Sequence, residues 1–262
     1  MIRLIALLAF APLAAHAQTE FDCVMDPAEL VQVGSPVAGL LAEVPVARGQ
    51  EVRQGEVLAR LTSDFEEATL GLLQVRSESE AALEAQRARL ELVQGRYDRT
   101  QELMSRGVAT QDQMAEVEAE LATATSLVAQ AELEREVALR ELDRARAALD
   151  QRVIRAPLDG LVFERRLTAG EYLTSDGYVA SLVQLDPLHV EAFLPVDLYA
   201  EVAEGQEVTI RPAAPVEGDY TGTIIVRDRV FDAASGTFGV RVELPNPDGT
   251  LPAGHRCILD LG

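Results

Sequence analysis

The chain is expected to be mainly β: a small β-sandwich split in two by a long α-helical coiled-coil hairpin and followed by a small antiparallel β-barrel. Three observations carry this expectation. Residues 35–49, SPVAGLLAEVPVARG, and residues 156–170, APLDGLVFERRLTAG, share one pattern, and Pro36 and Pro157, Gly39 and Gly160, and Gly49 and Gly170 all lie 121 positions apart. Between the copies, from about Asp64 to Gln151, there is no proline, and Ala, Glu, Leu, Arg and Gln dominate, a helix-favouring composition. Beyond Asp186, short aliphatic and aromatic runs alternate with turn sequences such as NPDG at residues 246–249, as an antiparallel barrel needs.

The elements follow in order. Residues 1–17 combine Arg3, an apolar run and the small-residue site Ala15-His16-Ala17, the three parts of a cleavable secretory signal peptide. The run is too short to span a bilayer, and no later segment comes close, so an exported, soluble product is expected. Thr19, Glu20, Phe21 and Asp22 are bulky or charged where a lipid anchor on Cys23 would need small residues. Residues 18–32 contain FDCVMDP, a strand expected to join the barrel. Residues 33–62 and 152–185 read as two sandwich halves of short strands, with Gly49, Gly55, Gly170 and Gly177 at turns that need positive φ. Each half is too small to bury a core alone, so the two should pair.

Residues 63–151 form the hairpin, which breaks at MSRGVAT. Gly107 suits the left-handed residue that ends one helix, and Thr110 followed by Gln113 is a capping-box signal for the next. Leu83, Leu90, Tyr97 and Met104 recur every seven residues in the first arm, and Met114, Leu121, Val128, Leu142 and Leu149 do so in the second, interrupted by Arg135. Val117, Ala124, Ala131, Ala138 and Ala145 supply a second seam of small residues, so the arms should pack closely and, across a short loop, antiparallel. Arms of this length make a rod roughly 60 Å long. Residues 186–262 supply the barrel strands, with VDLYAEVAEG expected as a short helix between the first two.

Charge and chemistry narrow the function. The chain has 23 basic residues, every one of them arginine, against 43 acidic residues, for a formal charge of −20, and loss of Arg3 with the leader makes it more negative still. Such a surface repels phosphate backbones, which excludes nucleic acid as a partner. His189 and His255 sit beside strand-like apolar sequence, where a structural role outweighs a ligating one, and Met25, Met104 and Met114 are too scattered for a soft-metal site. There is no phosphate-binding glycine loop and no catalytic signature, so no enzyme, cofactor or metal site is expected.

Two sandwich halves split by a helical hairpin, RAPLDGLV, GEYLTSDGYVASLVQLDPLHVEAFLP, and the closing DAASGTFGVRVELPNPDGTLPAGHRCILDL together resemble the periplasmic adaptors, or membrane fusion proteins, of the HlyD and RND efflux families. The resemblance covers roughly residues 21–262. It implies a split lipoyl-like domain, an inner-membrane transporter and a TolC-type outer-membrane channel as partners, and a homo-oligomeric ring, commonly a hexamer. Adaptors that meet such channels carry Arg, Leu and Ser at set spacing on the hairpin tip. Arg99, Leu103 and Thr110 stand at that spacing around the tip turn at Gly107, with threonine in place of serine. Many relatives continue into a membrane-proximal domain. This chain reaches only the barrel's expected end at Gly262, so docking is expected to fall to the barrel and lipoyl-like domain or to a partner adaptor, with RND and ATP-driven transporters both open. If FDCVM and RCILDL are barrel strands, Cys23 and Cys257 become neighbours able to bridge in an oxidising compartment, with two free thiols or a metal pair as the alternatives. A lipoyl or biotinyl carrier would need a lysine for its cofactor, and the chain has none. A self-assembling envelope scaffold would explain the rod but not the split halves.

Overall fold

The computed structural model describes residues 20–262; the expected leader at residues 1–17 lies outside them. Four strands come first: β1 (Glu20–Val33), β2 (Gly39–Glu43), β3 (Glu51–Val52) and β4 (Val57–Leu61). Three helices follow: α1 (Asp64–Glu78), α2 (Ala81–Ser105) and α3 (Gln111–Asp150). The chain then returns through β5 (Val153–Arg155), β6 (Gly160–Arg165), β7 (Tyr172–Leu173) and β8 (Ala180–Pro195). It ends in β9 (Glu207–Pro212), β10 (Tyr220–Arg227), β11 (Thr237–Leu244) and β12 (His255–Asp260).

The two sequence copies meet as a pseudo-symmetric pair. Gly49 N donates to Val162 O and Gly170 N donates to Leu41 O, both at 2.8 Å. Leu41 N donates to Glu171 O at 2.8 Å, and Val162 N donates to Gln50 O at 2.9 Å. Each bond has its counterpart 121 residues away, so the halves exchange the same contacts. Gly49 and Gly170 sit at φ +83° and +88°, where glycine avoids the Cβ strain of the left-handed region. Gly177, expected to share that conformation, does not adopt it; an added Cβ would lie 3.0 Å from Thr174 Oγ1, so close packing is what favours glycine there. Leu41, Leu58, Leu61, Val162, Leu173 and Leu182 form the centre of the shared core.

The barrel is a closed ring of six antiparallel strands, β1-β12-β9-β10-β11-β8, with β8 pairing back onto β1. Closure leaves no strand edge open. Alternation sends Phe21, Cys23 and Met25 of β1 inward to meet Leu188, Val190 and Leu194 of β8 and Phe238 and Val240 of β11. β1 and β8 also run on together from Cys23↔Ala192 to Val33↔Ala180, with a register shift between Pro27 and Glu29. Ala180 and Leu182 at one end of β8 belong to the sandwich core, and Val190 and Leu194 at the other belong to the barrel core. The segment expected as a short helix after β8 is a 3-10 turn, Val196–Leu198. Arg227 Nη1 donates to the carbonyls of Tyr199 and Val202 at 2.9 and 2.7 Å, so a side chain takes acceptors that a longer helix would have paired internally.

The helices pack antiparallel, α3 against both α1 and α2. α3 runs unbroken for 40 residues, about 60 Å. Its buried seam is the small-residue one, Val117, Ala124, Ala131, Ala138 and Ala145, with Met114 and Leu142. Ion pairs across the two arms, Arg76–Glu141 at 3.0 Å, Arg87–Glu132 at 2.9 Å and Arg96–Glu120 at 2.7 Å, follow the same antiparallel register. The first arm departs from the expected single helix: α1 has 15 residues, α2 has 25, and Ser79 between them is extended at φ −75°, ψ 113°. The break faces Arg135, the residue that interrupts the sevenfold series. A guanidinium cannot be sealed into an apolar seam without a large desolvation penalty. The first arm opens at this level instead, and Arg135 Nη2 donates to Glu80 Oε1 at 2.6 Å in a half-exposed pair.

Candidate functional site

The hairpin tip is built from two reciprocal caps. Gly107, at φ +77°, ends α2: its N–H donates to Met104 O and the N–H of Val108 to Leu103 O, both at 2.9 Å, a Schellman motif. Thr110 starts α3 with a capping box: Thr110 Oγ1 accepts from Gln113 N at 3.2 Å, and Gln113 Oε1 accepts from Thr110 N at 3.0 Å. Four residues separate Ser105 from Thr110, and the other two are placed by Arg106 N, which donates to Glu102 O at 3.3 Å, and Ala109 N, which donates to Leu103 O at 3.4 Å.

This frame gathers the candidate residues at the free end of the rod. Arg99 and Leu103 lie one turn apart on α2, hence on one face. The Leu103 carbonyl holds the N–H of Val108 and of Ala109, which brings Leu103 beside the chain that leads into Thr110. Arg99 and Thr110 are exposed, Leu103 is 44% exposed and Val108 is 70% exposed. Arg99 has no carboxylate partner among the described residues, and its guanidinium lies back over Gly95, where an added Cβ would stand 3.5 Å away. The end of the rod therefore offers a hydroxyl and two aliphatic side chains at or beside a rigid turn, with the Arg99 cation farther back along α2. Such a group can bind a protein surface; it holds no nucleophile with a base beside it.

Several other residues singled out from sequence lie in the barrel, while Met104 and Met114 lie on α2 and α3. Cys23 and Cys257 are directly opposed on β1 and β12, their Cα atoms 4.8 Å apart, and their sulfurs are bonded. Met25 is fully buried, and His255 Nε2 lies 2.7 Å from Ala213 O. Among the described residues, no group of three or more His, Cys, Asp and Glu side chains is arranged to hold a metal ion, and no helix is long and apolar enough to cross a membrane.

A family model described as the CzcB-like barrel-sandwich hybrid domain matches residues 29–183, from the barrel-to-sandwich stretch of β1 through the hairpin to β8. The chain belongs to this family of membrane fusion proteins. Relatives include the cobalt-zinc-cadmium resistance protein CzcB of Cupriavidus metallidurans, 28% identical over 217 residues, which cover 80% of this chain and 38% of the relative. The multidrug resistance protein MdtA of Yersinia pestis is 27% identical over 236 residues, covering 86% of this chain and 50% of the relative. The adaptor thus spans half or less of the length of these relatives. In fold it is similar to MacA from Actinobacillus actinomycetemcomitans, with a TM-score of 0.78 at 20% identity over 93% of this chain and 78% of that one. It is also similar to the membrane fusion protein Spr0693 from Streptococcus pneumoniae, with a TM-score of 0.59 at 17% identity over 93% and 98%.

Two features of this membrane fusion protein escaped the sequence. One is the opening of the first arm at Ser79, for which Arg135 in the seam was the available signal. The other is exposed apolar surface on the barrel, where Phe193 and Val230 are 68% and 84% exposed. Val230 and its neighbour Phe231 lie inside a polar turn, DRVFDAASG, where an apolar pair has no strand to serve.

Proposed function

We propose that this membrane fusion protein is the non-catalytic periplasmic adaptor of a tripartite efflux or secretion system, joining an RND-type inner-membrane transporter to a TolC-type outer-membrane channel. The observation that carries the reading is the tip: Arg99 and Leu103 lie one turn apart on the last turns of α2, which lead through a doubly capped turn into Thr110, at the far end of a helix pair whose other end is rooted in the family's sandwich. We read residues 33–62 and 152–185 as the two lipoyl-like halves, 63–151 as a coiled-coil hairpin, and 18–32 with 186–262 as the barrel. Residues 1–17 act as the leader that delivers the chain to the periplasm.

Copies assemble as a ring, a hexamer in the manner of the family, with hairpins side by side. A groove of about 580 Å³ at the opening of the first arm, edged by the exposed Val75, Leu133 and Val137, supports lateral packing there. The tip is tested by Leu103→Asp. A carboxylate in an apolar contact abolishes export, while far-ultraviolet circular dichroism stays unchanged because the site is half exposed. Export at the wild-type level in that variant removes the tip from the interface. Crosslinking in cells, followed by identification of the captured inner-membrane protein, tests the transporter class.

A further inference from the structure

We propose that the cleft at the root of the hairpin, where α1, α3 and β4 meet, is a binding site for a small organic monoanion with an apolar body, a medium-chain carboxylate or an aryl sulfonate, held by Arg60 and Arg146. The site is separate from the tip and needs no transport partner.

The cleft forms where strands turn into helices and back. β4 ends at Leu61, α1 starts at Asp64, α3 ends at Asp150 and β5 starts at Val153, so four roots meet in one place. Arg152 and Glu66 pin the joint as a mostly buried ion pair, and Leu61 N donates to Arg152 O at 2.8 Å. Beside this pin lies a cleft of about 390 Å³, within the range of small-molecule sites, roughly 300–1,000 Å³. Leu61, Leu70, Leu149 and Val153 supply its apolar wall. Leu70, Leu149 and Val153 are only half-buried, so a ligand that covers them removes apolar surface from water.

Charge selects the occupant. Arg60 of β4, Arg146 near the end of α3 and Arg152 just beyond it all line the cleft. Arg60 is paired with Glu43 through Nε at 2.7 Å, and Arg146 with Asp143 through Nη1 at 3.3 Å; both carboxylates lie outside the cleft lining. These pairs are about half exposed and therefore weak. A guanidinium carries five N–H donors in a planar fork, so Arg60 and Arg146 both keep donors for an incoming anion. The lining also holds Glu67, engaged by Ser63 Oγ at 2.6 Å, and Asp150. Three guanidinium groups against two carboxylates leave one positive charge, which matches one negative charge on the ligand. A polyanion meets the repulsion of a chain of formal charge −20. An anion shared by Arg60 and Arg146, its apolar body against Leu70, touches β4, α3 and α1 together, so the bound ligand ties the rod to the sandwich.

The test titrates the full mature chain with anilinonaphthalene sulfonate and with decanoate, both below their micellar concentrations. A saturable fluorescence rise with one sulfonate per chain is expected, reversed by decanoate, together with a melting temperature that climbs with decanoate concentration. Arg60→Gln and Arg146→Gln are each expected to weaken binding about tenfold, with the ligand-free melting temperature unchanged because both side chains are half exposed. Val137→Glu, at the groove beside the opening of the first arm, is expected to leave binding unchanged. Binding that Val137→Glu abolishes and both arginine variants keep overturns the proposal, as does the absence of saturable binding. Displacement of the sulfonate by equimolar sulfate, which has no apolar body, overturns it too. Attachment to phosphatidylglycerol vesicles that Arg146→Gln abolishes, with no binding of dissolved decanoate, also overturns it, because the ligand is then a membrane surface.

Discussion

Single residues fix the points where this chain has no slack. The Cys23–Cys257 bond closes a loop with a sequence separation of 234. Chain-entropy arguments put the contribution of so long a loop at about 5.5 kcal/mol, with measured values for disulfides commonly near 2–4. Replacing both cysteines by alanine is expected to lower the unfolding free energy by about 3 kcal/mol in urea titration, and thiol counting on protein from the periplasm is expected to find none free. Asp232 is a second such point. Hydrogen bonds from Ala234 N and then from Ser235 hold its carboxyl below the usual carboxylate value. Because the folded-state value is depressed, the contribution of Asp232 is complete above the unfolded value, about 4, and is lost as pH falls through the lower folded one. Amide resonances of the 232–237 turn are therefore expected to hold steady at neutral pH and to shift only on acidification below that value.

At the scale of elements, legibility followed from how local the cause was. Both ends of the tip, Gly107 as left-handed stop and Thr110 with Gln113 as start, were readable because caps depend on residues within one turn. The small-residue seam was readable because a sevenfold repeat survives one interruption. The opening at Ser79 was not, because its cause sits on the other arm, at Arg135, and only the packed register brings the two level. The 3-10 turn after β8 escaped for the same reason: the acceptors of Tyr199 and Val202 go to Arg227, 28 and 25 residues away. Gly160 combines the two cases. The repeat marked it as special, yet the reason lies across the sheet, where an added Cβ would come within 2.5 Å of Val183 O. Gly160→Ala is expected to destabilise the sandwich by about 2 kcal/mol, read as a lower urea midpoint with an unchanged slope.

At the scale of the molecule, two long strands decide how the parts respond together. β1 and β8 are paired from the barrel into the sandwich, so neither core can open without breaking a ladder shared with the other. Amide exchange of Leu182 in the sandwich and Val190 in the barrel is expected to report the same global opening free energy; a sandwich that exchanges several orders of magnitude faster would show two independent units. The pairing of the halves was legible from the 121-residue offset, whereas the continuity of β1 and β8 was not, because the β8 positions that enter either core, Ala180 and Leu182, then Val190 and Leu194, all share one parity and mark no break in the sequence.

The reciprocal bonds between the halves carry a consequence in time. Gly49 N has no acceptor until Val162 has been synthesised, and Leu41 O waits for Gly170. The first half emerges as an unpaired stretch of β-forming chain. The intervening hairpin needs only near-neighbour contacts along its two arms, and helices form within microseconds, far faster than distant strands find one another. Once it zips, Glu66 is drawn to Arg152, and Leu61 N reaches Arg152 O at 2.8 Å. A search across some ninety residues of loose chain becomes a closure across a few. The rod that reaches outward in the finished protein is, during folding, the strap that delivers one half to the other.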